Sequence, residues 1–281
     1  MAIDGTWWLG PRIEVRDLFA REHEETMALL RVLSDEEWQW PTGCPGWRVR
    51  DIAGHVLGDH LNRLARSRDR YPDGPRPRSE EPFPSFIDRL NEEWVATTRA
   101  WSTRMLVDLL GHVGPQIVEH WRTVDLDALG EPVTWAGPDP APVWLDAARD
   151  LTEYWTHQQQ IRDATGRPGF TQPEVVHTVL DTFLRALPYT LRDVPAAEGT
   201  RLLFTVTGPG GGDWSCVYRR GGWMVERAGA QRPDAAVELD ADTTWRLCTR
   251  GITPDEAARR GSRHGDVHLT GTALTVLSVI R

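Results

Sequence analysis

The chain has 281 residues, enough for one large domain or two ordinary ones, and its 40% apolar content supports a real core. A formal net charge of −9 argues against nucleic acid and anionic membrane surfaces as main partners. All 32 basic residues are arginine, which excludes Schiff-base chemistry on a lysine and any lysine-bearing phosphate loop.

The first ten residues carry no basic region followed by an apolar run, so no signal peptide is expected. No apolar stretch is long enough to cross a bilayer. Cys44, Cys216 and Cys248 are few, odd in number and far apart. They suggest neither a disulfide framework nor a cysteine zinc site, and a reduced cytoplasm fits them best. Ile13, Leu18, Ala20, Met27, Leu30 and Leu33 fall at helical spacing and predict a helix over 10–33. Ser34-Asp35-Glu36-Glu37 reads as an N-cap with acidic first-turn residues, the start of a short helix. Pro41-Thr42-Gly43-Cys44-Pro45-Gly46 is turn chemistry. A long helix over 48–68 carries Val49, Ile52, Ala53, Val56, His60, Leu61 and Leu64 as its apolar stripe, with His55 at the edge. The proline-rich, charged stretch 71–84 reads as an exposed loop. Helices follow over 86–105 and 106–123. The Gly- and Pro-rich stretch 125–142 is a loop long enough to lie over a site. The next helix covers 143–165 and stops at Gly166-Arg167-Pro168-Gly169, and another covers 173–192.

The character then changes. Residues 201–207, 214–219, 222–227 and 235–240 alternate or carry β-branched and aromatic side chains and are expected as strands. The run Gly208-Pro209-Gly210-Gly211-Gly212-Asp213 follows a strand but opens no helix, so it reads as a hairpin turn and not a phosphate cradle. Residues 243–249 and 254–260 look helical, 266–270 is expected as a strand and 273–280 as a terminal helix. The fold class is therefore α+β, with a helical domain over 10–170 and a smaller α+β domain over 171–281.

The stretch from Leu151 to Asp163 sets Glu153 and His157 one turn apart on one helix face. A carboxylate and an imidazole so placed can hold two corners of a metal site, although alone they also read as an ordinary exposed pair. A third ligand is sought among the nine histidines. His23, His112, His120 and His177 stand alone on amphipathic helices and read as surface or satisfied core residues. His264 and His268 flank a predicted strand with no third partner. His60 lies about 140° around the helix from His55, so the two do not easily share one metal. His55 differs, because it follows a turn that fixes where its helix begins.

Cys44-Pro45-Gly46-Trp47-Arg48-Val49-Arg50-Asp51-Ile52-Ala53-Gly54-His55-Val56 resembles the opening of the second helix in DinB-like proteins, and is most similar to the branch named for mycothiol-dependent maleylpyruvate isomerase. The pattern of that branch is a CPGW-type turn, a helix-two histidine and a late E-x-x-x-H, matched here by His55, Glu153 and His157. Trp245-Arg246-Leu247 and Gly265-Asp266-Val267-His268-Leu269-Thr270-Gly271 loosely resemble its C-terminal domain. The resemblance implies a four-helix metal domain followed by a sterol-carrier-like α+β domain. It also implies a divalent metal, zinc first, held by His55, Glu153 and His157, and mycothiol as thiol cosubstrate. A metal-bound thiol is deprotonated, and the thiolate attacks a small-molecule electrophile. If the product keeps the sulfur, the reaction is S-transfer. If the adduct rotates and expels the thiol, it is cis–trans isomerisation.

Trp47 and Trp155 as aromatic walls, and Arg260 and Arg263 as forks suited to carboxylates, are the candidate thiol- and substrate-binding residues. Each arginine also reads as part of a solvated basic run. Cys44 precedes a helix N-terminus, where a thiol pKa can fall. The simpler reading, a small buried residue in a tight turn, is preferred because an external thiol needs no protein nucleophile. Two alternatives stand beside this reading. One is a metal-dependent hydrolase using bound water, and the other a non-catalytic binder of a small ligand. A monomer or homodimer is expected.

Overall fold

The computed structural model describes residues 7–278 apart from 131, 132, 134, 138, 139, 228 and 230. Its contacts divide these residues into two units, each built from separated pieces of chain. The helical unit comprises Val15–Val124 and Glu153–Phe170. The sheet unit comprises the residues before Val15, Asp125–Thr152 and those from Thr171 onward. No helix among the described residues is long and apolar enough to cross a membrane.

In the helical unit, α1 covers Leu18–Arg31. It starts later than the apolar spacing suggests, because Ile13 and Val15 are buried on either side of an exposed Glu14 in non-helical backbone. That alternation is a period of two, and the helical reading of Ile13 was a coincidence of spacing. Ser34 and Glu37 exchange reciprocal bonds, Glu37 N to Ser34 Oγ at 3.2 Å and Ser34 N to Glu37 Oε2 at 2.7 Å. This capping box opens only a single 3-10 turn, Glu37–Gln39. Helix α2 covers Val49–Arg63 and continues as a π-helical turn, Leu64–Arg68. Helix α3 covers Phe83–Thr98 and α4 covers Thr103–Thr123. The break between them falls earlier than expected because Ser102 caps α4, its side chain accepting from Met105 N at 3.2 Å. Helix α1 packs on α4, and α2 packs on both α3 and α4.

Helix α5, Val143–Ala164, supplies its first half to the sheet unit and its second half, from Glu153, to the helical unit. In the sheet unit, α6 covers Pro173–Leu184 and a single turn, α7, covers Leu187–Thr190. The one helix expected over 173–192 is thus two. Pro188 lacks the N–H that would bond back to Leu184. The strands are β1 Arg201–Thr207, β2 Gly212–Arg219, β3 Gly222–Arg227 and β4 Ala235–Asp240. Helices α8, Ala241–Cys248, and α9, Pro254–Arg260, precede the short β5, Ser262–Gly265, and α10, Val267–Ala273.

The sheet order is β3-β2-β1-β4-β5, antiparallel except for the β1–β4 pair. The glycine-rich run joins β1 to β2 as a hairpin, with Val206 opposite Gly212. Leu202, Phe204 and Val206 of β1 are buried, and α6 contributes Val176, Val179, Leu180 and Phe183 to the buried core of this unit.

Two expectations at the C-terminal end are corrected. Residues 267–270 are helical, because Asp266 accepts from Leu269 N at 2.9 Å and so caps α10. Val267, 77% exposed, and Leu269, 3% exposed, point to opposite sides of that helix. The strand here is the preceding Ser262–Gly265, ending at Gly265 with φ +81°, a conformation glycine adopts without penalty. No regular helix covers 274–278, and residues 279–281 of the expected terminal helix lie outside the described residues. Ser278 instead bonds the Phe183 carbonyl at 2.6 Å and, through its N–H, the Cys248 carbonyl at 3.0 Å.

Candidate functional site

The turn before α2 is tied down from within. Thr42 donates twice to the Trp47 carbonyl, from its N–H at 3.1 Å and its Oγ1 at 3.0 Å. Gly46 has φ +80°, and Trp47 N bonds back to the Cys44 carbonyl at 3.0 Å. The start of α2 is then fixed by Asp51. Its buried carboxylate accepts from Arg48 N at 3.0 Å and takes the Arg99 guanidinium at 3.0 and 3.3 Å. One turn further on, the helix phase carries His55 inward, 4% exposed.

The other half of the site comes from the second half of α5. Its position against α1 is held by a buried polar contact. Gln158 Nε2 donates to Thr26 Oγ1 at 2.9 Å, Arg162 Nε to Gln158 Oε1 at 3.0 Å, and Arg162 Nη2 to Glu25 at 3.0 Å. Beside this contact Glu22 is 3% exposed, and burial pushes its carboxyl up to about 7 despite hydrogen bonds from Thr26 and Gln158.

Glu153 and His157 thus meet His55. Glu153 Oε1 lies 3.0 Å from His157 Nε2 and 3.2 Å from His55 Nε2. One donor atom from each of the three residues lies within 4.8 Å of the others. The His55 and His157 rings stand edge-on, 4.7 Å apart, and the Trp47 ring lies 5.0 Å from His55. Enclosure by itself raises the Glu153 carboxyl, but the charge of His157 and hydrogen bonds from both imidazoles hold it well below the usual carboxylate range. Enclosure likewise lowers His157, yet the Glu153 charge and the Cys44 thiol hold it well above the usual histidine range.

Three further residues touch this cluster, and two of them, Asp59 and Gln160, do not stand out in the sequence. Asp59 Oδ2 lies 3.3 Å from His55 Nε2, one turn along α2. Gln160 Oε1 lies 2.7 Å from His157 Nδ1, and Cys44 Sγ is 3.2 Å from the same oxygen. Asp59 and Gln160 follow a candidate ligand by four and three residues, the only signal the sequence holds for them. Cys44 is half-buried and bonded to α5. It is not simply enclosed in its turn.

The other sequence candidates are placed as follows. Trp155 is 2% exposed and donates to the Phe170 carbonyl at 3.0 Å. Arg260 on α9 is paired with Glu256. Arg263 is exposed on β5, opposite Val237 of β4. His60 packs edge-on against Tyr154 at 4.6 Å, and burial pushes it down to about 3, so it stays neutral outside the cluster.

The donor set suits a divalent ion. Two imidazoles and a carboxylate at about 2.1 Å around a tetrahedral centre stand about 3.4 Å from one another. The 3.0 and 3.2 Å separations from Glu153 are of that size, and all three donor atoms lie within 4.8 Å of one another.

Comparison with known proteins gives a consistent picture. Two crystal structures of the mycothiol-dependent maleylpyruvate isomerase, one of a histidine-to-alanine mutant, share this fold. The mutant aligns at 14% identity and TM-score 0.55, the other at 15% and 0.53, each covering 90% of this chain and 92% of its own. A structure described as UbiJ-SCP2 Ubiquinone synthesis protein covers only 35% of this chain, at 18% identity and a TM-score of 0.26. No curated protein matches. The family model described as mycothiol maleylpyruvate isomerase N-terminal domain matches residues 19–162, which include His55, Glu153, His157 and the turn before α2. That match spans half of the chain, and the protein belongs to the family of the mycothiol maleylpyruvate isomerase N-terminal domain.

Proposed function

We propose that this protein is a mycothiol-dependent metalloenzyme acting on a small electrophile. The observation that carries the reading is the convergence of His55 Nε2, Glu153 Oε1 and His157 Nε2 inside a family whose name is that of a thiol-dependent isomerase. His55, Glu153 and His157 would hold the ion, with zinc best suited to this donor set. A divalent cation there supplies one thing: it lowers the pKa of a thiol enough for the thiolate to exist at neutral pH.

The chain's own residues do the rest. Glu153 brings one negative charge against the cation, and the two imidazoles bring none when neutral. Trp47 covers one side of His55 and keeps water from it. Cys44 is committed to Gln160 and is not the nucleophile. The mycothiol sulfur adds to an electron-poor carbon of the substrate. In an isomerisation the adduct turns about the former double bond, the C–S bond breaks and the thiol leaves. In an S-transfer the C–S bond stays and the neighbouring carbon, left with the electron pair, takes a proton. The family's name favours the isomerisation of a maleylpyruvate-like substrate.

The test combines metal analysis with turnover. Purified protein is expected to carry about one equivalent of divalent metal per chain. Both His55→Ala and His157→Ala should lose it, and turnover of a maleylpyruvate-like electrophile should need both metal and mycothiol. Turnover without any thiol would identify a hydrolase instead. A full equivalent of metal in both variants would sink the site.

A further inference from the structure

Three consecutive glutamines on α5 face three ways, as steps of about 100° per residue require. Gln158 bonds Thr26, Gln159 bonds the backbone N–H and carbonyl of Phe170, and Gln160 turns to the cluster. The first two fasten the helix. Gln160 fastens a ring.

We propose that Gln160 is a positioning residue that fixes the tautomer and orientation of His157 and so sets the site's metal affinity. The proposal rests on the metal reading above. His157 Nδ1 lies 2.7 Å from Gln160 Oε1, and Cys44 Sγ lies 3.2 Å from the same oxygen. An amide oxygen has two lone pairs, and both are taken. With its oxygen toward both groups the Gln160 amide accepts from each, and that role requires the imidazole proton on Nδ1. Nε2, which faces Glu153 Oε1 at 3.0 Å, is then the nitrogen whose lone pair a metal would take in place of a proton. Cys44 in turn comes from the turn locked by Thr42 and Trp47, so the Gln160 amide is held from two elements. Groups of this kind behind a ligating histidine set ring orientation and basicity, and their loss costs about 10–100-fold in metal affinity.

The test uses the full chain with zinc, titrated against a chelator, together with the imidazole N–H proton resonances of 15N-histidine-labelled, zinc-loaded protein. Gln160→Met keeps the length and removes the acceptor, and should weaken zinc by about 10–100-fold. It should also abolish the slowly exchanging His157 Nδ1–H resonance. Gln160→Glu keeps an acceptor and should retain both the resonance and an affinity within about threefold of wild type or tighter. Wild-type zinc affinity in Gln160→Met, or absence of a protected Nδ1–H in the wild type, overturns the proposal. Should Gln160→Met fail to fold by circular dichroism, the wild-type resonance and the Gln160→Glu affinity decide it. A wild type that takes up no zinc defeats the metal reading itself, an outcome separate from loss of the Gln160 effect alone.

Discussion

Glu153 Oε1 faces two imidazole nitrogens at once, while the thiol nearest to them, Cys44, is turned toward an amide oxygen. That arrangement separates the roles of sulfur in the site. Cys44→Ser keeps a donor of similar reach toward Gln160, so it should retain activity within about threefold, apart from any folding loss. A collapse of thiol-dependent turnover with metal content and folding intact would move the chemistry onto Cys44. Glu22 lies away from the cluster and gives a pH signature of its own. Its carboxyl is raised to about 7 in the folded chain by burial. The stability of the neutral acid is fully present below the unfolded value, near 4.3, and is lost as pH rises through 7. Glu22→Gln should therefore stabilise the protein by about 3 kcal/mol at pH 8.5 and much less at pH 5, read by urea denaturation at both. An equal effect at the two pH values would show that Glu22 does not titrate as a buried acid. At this scale the meeting of His55, Glu153 and His157 is legible in the sequence, because a helical i,i+4 pair and a motif-bearing turn each narrow the choice. Asp59 and Gln160 are not, because a carboxylate or amide at that spacing also suits any solvated helix face.

Among the elements, α2 depends on a single buried carboxylate. Asp51, 2% exposed, both caps the helix and receives the Arg99 fork. Asp51→Ala removes both and should cost about 2–4 kcal/mol, while Asp51→Asn keeps the cap acceptor and should cost less. Calorimetry of the two variants tests this, and a loss under about 0.5 kcal/mol for Asp51→Ala would show the cap to be dispensable. The same physics explains which element boundaries can be read from sequence. Strands β1, β3 and β4 are legible to the residue, because β1 and β3 end at turn chemistry and β4 ends at Asp240, the cap of α8. Helix α10 is not, since Asp-Val-His-Leu-Thr alternates like a strand while Asp266 supplies a helix cap. The cap decides, and pattern alone does not reveal it. Pro188 similarly interrupts an apolar stripe that continues unbroken on either side.

At the scale of the whole chain the two units are interleaved. Asp125–Thr152 groups with the sheet, and Glu153–Phe170 returns to the helices. Such grouping is not legible in a linear pass, because the composition of 125–152 does not say which unit it joins. In the sheet unit Arg185, 3% exposed, donates to the carbonyls of Leu9 and Pro11 and pairs with Asp181. A fragment beginning at residue 171 lacks those carbonyls and leaves a guanidinium without its buried acceptors, a costly loss. That fragment should give no cooperative thermal transition and little near-ultraviolet circular dichroism. A sharp transition in it would show that the remainder suffices.

The order of the pieces also bears on synthesis. A ribosome releases the chain from its first residue onward, at about 5–20 residues per second. His55 has to wait for Glu153, 98 positions later, and Leu9 for Arg185, 176 positions later. Neither unit is complete when its opening segment emerges, and the helical one is finished only after part of its companion has been made. Closing such long loops is slow. The nascent helices α1 and α2 therefore spend seconds with their α5-facing sides bare, the period in which a chaperone that shields apolar surface would hold them.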